Sequence, residues 1–299
     1  MSFYHIQEDM EIFLKSTLDN LIDTKRQYLL QDISITWVNY HENTSNQKGF
    51  GCSFNNKKRI YPASIVKLVY ALAIYKWIEQ DQLIFNEQID DAVCKMLQHS
   101  SNDATSFVID MLTGTSSGPS LEGEKWENWR HQRQIINDWL SSFNWKELDG
   151  FNCCQKTWED QPFGREKDFY GTENENINLM TTEGTGRILE EIMRHTEFDK
   201  NNVNLKRYLS RELNKEIYKK DTNNQIEGFL GEGLPENISF WSKAGLMSKV
   251  RHDAVWWTNN DLTNTLLIVF GNNPQFVQDQ LIFPMISQRL YRYINKSTY

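Results

Sequence analysis

The chain has 299 residues, of which 39% are hydrophobic and 24% charged, with a formal net charge of −8. That is ample material for a large buried core in one domain or two closely packed parts. The acidic balance argues against nucleic-acid binding by phosphate neutralisation, and no apolar run reaches the roughly 18 residues of a membrane-spanning helix.

Residues 4–25 carry Ile6, Met10, Phe13, Leu14, Leu18, Leu21 and Ile22 at helical spacing among acids and lysines, which predicts an amphipathic helix lying on a sheet. The first residues, Met1 to Met10, lack the basic and apolar regions of a secretory signal. A cytoplasmic protein is therefore expected, or a periplasmic one if a leader has been removed. Residues 32–39, with Ile33, Ile35, Trp37 and Val38, read as a strand. Gly49 to Phe54 reads as its hairpin partner across a turn at Asn43 to Lys48. The cysteines Cys52, Cys94, Cys153 and Cys154 form no C-x-x-C pair and have no histidine at metal spacing, so reduced thiols and no metal or other cofactor are expected.

Tyr61-Pro62-Ala63-Ser64-Ile65-Val66-Lys67 then places a hydroxyl and an amine one helical turn apart. Pro62 suits a first turn, and Leu68 to Tyr75 continue as a helix apolar nearly all round, hence buried. An amine at the mouth of such a helix is desolvated and easier to deprotonate, so it can activate the serine as a nucleophile. Alone the S-x-x-K tetrapeptide is a weak signal. Ser100-Ser101-Asn102 follows, ahead of the apolar positions Phe107, Val108, Met111 and Leu112 and of Gly114. Taken alone it reads first as a helix N-cap, and second as a proton-relaying hydroxyl beside a substrate-holding amide. The chain stays mainly helical to about 220, with loops at 114–124 and 171–178 and a threonine-capped helix from Thr182. Strands return at 238–246, 252–258 and 264–270, and a last helix covers about 275–295 with a kink expected at Pro284. Lys243-Ala244-Gly245 lies on the first of these strands. The glycine there suits close approach by another backbone or a ligand, while the lysine alone would suit any exposed strand.

S-x-x-K, S-x-N and K-x-G in this order form the signature set of penicillin-recognising serine enzymes. With Tyr61-Pro62-Ala63, Asn102-Asp103-Ala104-Thr105 and Thr181-Thr182 in their flanks, the chain resembles the class A β-lactamase-like serine hydrolases. These share a fold with penicillin-binding DD-peptidases, and the resemblance runs from roughly residue 30 to 290. Gly164-Arg165-Glu166, Glu175-Asn176, Trp241 to Gly245 and Val250 to Ala254 are similar to a cyanobacterial branch.

The resemblance implies an α+β fold: a five-stranded antiparallel sheet flanked by N- and C-terminal helices, plus an all-helical subdomain. Residues 1–60 and 236–299 would form the α/β part of a single catalytic domain, and residues 61–235 the helical part. It implies Ser64 as nucleophile, Lys67 as proton acceptor and Ser100 as donor to the leaving nitrogen. Asn102 would hold the substrate amide, and Lys243 would add positive potential. Leu246, beside Gly245, would join Ser64 in donating backbone N–H groups to an oxyanion. Arg251 is expected to grip a substrate carboxylate, or else to make an ordinary surface ion pair. The implied partner is a small-molecule or peptide-like amide.

Three departures stand out. Ser64 and Ser100 lie close together in sequence, and an insertion occupies about 115–130. The deacylating glutamate has no complete E-x-x-L-N motif: Glu166 has Tyr170 where asparagine belongs, and Glu159, after Trp158, has Phe163 there. The resemblance still implies β-lactamase as the nearest activity. A DD-peptidase or esterase with slow deacylation and a catalytically silent binding protein stand as alternatives.

Overall fold

A computed structural model describes residues 2–23, 26–40, 47–196, 204–259 and 263–296. Its sheet comprises β1 (Tyr4–Ile6), β2 (Ile33–Tyr40), β3 (Gly49–Phe54), β4 (Ser239–Met247), β5 (Val250–Thr258) and β6 (Asn264–Gly271). The spatial order is β1-β3-β2-β6-β5-β4, so strands from both ends of the chain complete one sheet and β4 lies at its edge. Every pairing is antiparallel except that of β1 with β3.

The sheet thus has six strands where five were expected. Tyr4–Ile6 is too short to show alternation, and its register is set by β3. Glycine at position 51 lets the strands close, since a Cβ there would lie 2.4 Å from Trp37 O and 3.1 Å from Tyr4 Cδ2. The first helix therefore runs only over Glu8–Asp19. The turn expected at Asn43 to Lys48 lies mostly outside the described residues. At the other end, Pro284 falls in the first turn of the helix Ile282–Lys296, where proline is tolerated. The break comes earlier, after a separate short helix Pro274–Gln278.

Period-two alternation gives the sheet two apolar faces. Ile35, Trp37, Val255, Trp257, Leu267 and Val269 pack with Met10, Leu14 and Leu18 of the first helix and Ile286 and Leu290 of the last. Val38, Ala254, Trp256, Leu266, Ile268 and Phe270 face the helices Lys67–Glu79, Glu87–Gln98, Asn102–Thr113 and Thr182–His195. The helix Lys67–Glu79 is buried on nearly every side from Lys67 through Tyr75, as its all-round apolarity predicts.

Candidate active site

Ser64 lies in a 3-10 turn, Ala63–Val66, that runs straight into the helix beginning at Lys67. The preceding Ala63 has φ 46°, a left-handed conformation unusual for a residue with a side chain. The turn packs against β4. A Cβ at Gly245 would lie 2.8 Å from Pro62 O and 3.4 Å from Ile65 N, so only glycine admits this approach. From β5, His252 Nε2 donates to Tyr61 O at 2.9 Å. Burial drives the His252 pKa down to about 4, so this strut is a neutral imidazole.

Two of the three motifs meet on Ser100. Lys67 Nζ lies 3.2 Å from Ser100 Oγ and 2.8 Å from Asn102 Oδ1, and also donates to Ser100 O. Lys243 Nζ lies 3.0 Å from the same Ser100 Oγ. Ser100 has φ 57°, which turns its hydroxyl towards the lysines. Its neighbour Ser101 is the helix cap, accepting from Ala104 N at 3.1 Å. The N-cap reading of that tripeptide thus holds for Ser101, while Ser100 beside it meets the two lysines.

Both lysines are fully buried. Desolvation lowers the Lys67 pKa to about 7, opposed by the charge of Glu159. Lys243 is pushed well below the ordinary lysine value by desolvation and by the cations Lys67 and Arg211. Gln225, which no sequence pattern singles out, spans the floor of the site. Its Oε1 accepts from Lys243 Nζ at 3.0 Å and from Ala244 N at 2.8 Å, while its Nε2 donates to Gln98 O at 2.9 Å. Thr157 also escaped the sequence reading; its hydroxyl donates to Asn102 Oδ1 at 2.8 Å.

The orientation of β4 follows from its edge contacts. Phe240 O and Ser242 O accept from Arg211, and Ala244 N donates to Gln225, all on the side away from β5. N–H and C=O of alternate residues share a side, so the Leu246 N–H also faces the open edge, beside the turn of Ser64. A cavity of about 750 Å³ adjoins this edge, lined by Tyr61, Trp158, Tyr170, Ile177 and Met247 among others.

Two expected site residues have their side chains engaged by other partners. Arg251 pairs with Leu246, one residue out of phase with Gly245 and His252, so its side chain enters the opposite face of the sheet. There it donates to Gly228 O at 2.6 Å and Val277 O at 3.0 Å and stacks on Phe229. Glu166 is wholly buried, and its carboxylate accepts from Arg133 at 2.8 and 3.1 Å and from Ser117 at 2.8 Å. Glu159 is exposed.

A family model described as "Beta-lactamase enzyme family" matches residues 87–294, more than half of the chain and including Ser100, Asn102 and Lys243; Ser64 and Lys67 precede the match. Among curated proteins, none matches the sequence. Solved structures share the fold at low identity. A beta-lactamase from Chitinophaga pinensis DSM 2588 superposes with TM-score 0.63 at 10% identity, covering 96% of this chain and 99% of that one. A beta-lactamase from Sphaerobacter thermophilus DSM 20745 gives 0.61 at 16%, covering 96% and 97%. A mutant of PBP-A in an acyl-enzyme complex with penicillin G gives 0.62 at 11%, covering 98% of each chain.

Proposed function

The chain belongs to the beta-lactamase enzyme family, and from that membership we propose that it is a serine hydrolase acting on an amide or β-lactam carbonyl through an acyl-enzyme. The observation that carries this reading is the meeting of Lys67 and Lys243 on Ser100 Oγ, at 3.2 and 3.0 Å, beside the turn of Ser64.

In acylation, Ser64 Oγ gives its proton to Lys67 and bonds to the carbonyl carbon. The oxygen of that carbonyl becomes an oxyanion between the N–H groups of Ser64 and Leu246. Loss of one such donor costs about 3–4 kcal/mol of transition-state stabilisation. The C–N bond then breaks, and the leaving nitrogen takes the proton of Ser100 Oγ, which is replenished from Lys67. Asn102 holds Lys67 in place and presents its amide to the substrate. Lys243 fixes the Ser100 hydroxyl.

Deacylation requires a water that attacks the ester while Ser64 Oγ leaves with a proton. Glu166 is spent on Arg133 and Ser117, so Glu159, exposed and acting on Lys67 through its charge, is the carboxylate assigned to that water. Without an asparagine four residues on to hold the water, deacylation is slow, and the acyl-enzyme accumulates.

Fluorescent penicillin followed by denaturing electrophoresis tests this directly. The expected result is a persistent labelled band in the native protein, none in Ser64→Ala, and a longer-lived one in Glu159→Gln. Labelling that survives in Ser64→Ala would contradict the proposal.

A further inference from the structure

Recognition of a carboxylate takes an unspent cation or a fork of free N–H donors. Among the described residues, Lys67, Lys243, Arg211 and Arg251 reach the turn of Ser64 or β4, and each donates to groups of the protein, with the Nε of each arginine left without a partner. Lys67 donates to Ser100 Oγ, Ser100 O and Asn102. Lys243 likewise spends its three N–H bonds on Ser100 Oγ, Gln225 and its neighbour Ala244 O. Arg211 donates to the carbonyls of Leu97, Gln98 and Ser242. Arg251 is on the far face of the sheet, bonded to Gly228 O and Val277 O. Lys249, on the exposed β4–β5 turn, is a flexible ammonium in water, where an ion pair is worth little. Burial also lowers the pKa of both Lys67 and Lys243.

The space beside the oxyanion position has the opposite character. Tyr61 stands three residues before Ser64 and Met247 directly follows Leu246, so the cavity of about 750 Å³ lies beside the chain that carries both oxyanion donors. Trp158, Tyr170, Pro162 and Ile177 give it apolar walls, while Asp160 and Asp168 outnumber Lys167 in its lining. Such a pocket repels an anion and accepts a bulky apolar or aromatic group.

Resting on the hydrolase reading above, we propose that the substrate is an amide or ester with no carboxylate beside the scissile bond, whose bulky aromatic or apolar acyl group occupies the cavity between Trp158 and Met247. The chemistry of acyl transfer is unchanged; what differs is the ligand class the cleft selects.

The test compares acylation of Ser64 by penicillin G with that by its methyl ester, read by intact-protein mass spectrometry. A neutral fluorophosphonate reports separately on whether Ser64 is a competent nucleophile. The methyl ester is expected to acylate at least about tenfold faster than the acid, the scale of desolvating a charged group that finds no partner. Met247→Arg, which adds a cation at the exposed rim, is expected to raise the acid's rate relative to the ester's. Tyr170→Ala is expected to narrow the advantage of phenylacetyl over acetyl p-nitrophenyl esters. Equal rates, or a faster acid, would overturn the inference while leaving the hydrolase reading intact. Labelling by the fluorophosphonate but by neither lactam would overturn it as well. Absence of labelling by all three would remove the hydrolase reading itself.

Discussion

Burial of the Lys67 amine lowers its pKa to about 7, so the fraction able to accept the Ser64 proton rises through neutrality. The acylation rate is expected to climb about tenfold per pH unit below that value and to level off above it. The check is the second-order rate constant for adduct formation against pH. Lys67→Arg, which stays charged, is expected to cost about 100- to 10,000-fold in that constant at every pH. The same depression bears on stability. An unfolded lysine titrates near 10.5, so the unfolded chain binds the extra proton between that pH and about 7, and the fold loses stability as pH falls through the window. Asp253 has the opposite sign: burial raises its pKa from 3.8 to about 8, so its contribution is lost as pH rises across that range. Gly245 offers a purely steric test. An added Cβ would press on Pro62 O at 2.8 Å and displace the nucleophile's turn. Gly245→Ala is expected to slow acylation about 100-fold, the cost of roughly an ångström of misplacement, with native stability measured alongside.

The helix Gly123–Ser142 has a structural task that its sequence conceals. Its Arg133 is wholly buried, lies over the Trp129 ring at 4.6 Å and grips Glu166 with two nitrogens. Lys156 joins the cluster through Asp110 and Ser117, each at 2.9 Å. The next residue, Thr157, bonds Asn102, so the pin reaches the site within two residues of Glu159. Removing one partner leaves a buried uncompensated charge, so Arg133→Met is expected to cost about 3–5 kcal/mol in urea unfolding, most of it restored in Arg133→Met/Glu166→Leu. Glu166 was legible as a motif position because its distance to Thr181-Thr182 is local. That its carboxylate is consumed by a partner 33 residues away leaves no mark in any spacing. Helix and strand periods gave the main elements because one face of each is apolar. The three-residue β1 carries too few positions for a period, so it merged with the helix after it.

At the scale of the whole molecule, one sheet built from both ends of the chain holds β4 against the turn of Ser64, and the helices on its inner face bring Ser100 to the lysines. The three motifs were readable because each is short and its residues are near neighbours in sequence. Their convergence on a single hydroxyl is a tertiary fact, as is the bridge made by Gln225. Arg251 failed as a site residue for a reason of register: one position along β5 decides the face, and spacing from Lys243 does not fix it. The measurement closest to the core of this account is peptide mapping by mass spectrometry after penicillin treatment, in the native protein and in Ser100→Ala. The acyl mass is expected on the peptide containing Ser64, with its formation slowed about 100-fold or more in Ser100→Ala. An adduct on another peptide, or one that forms at the native rate without the Ser100 hydroxyl, would contradict it.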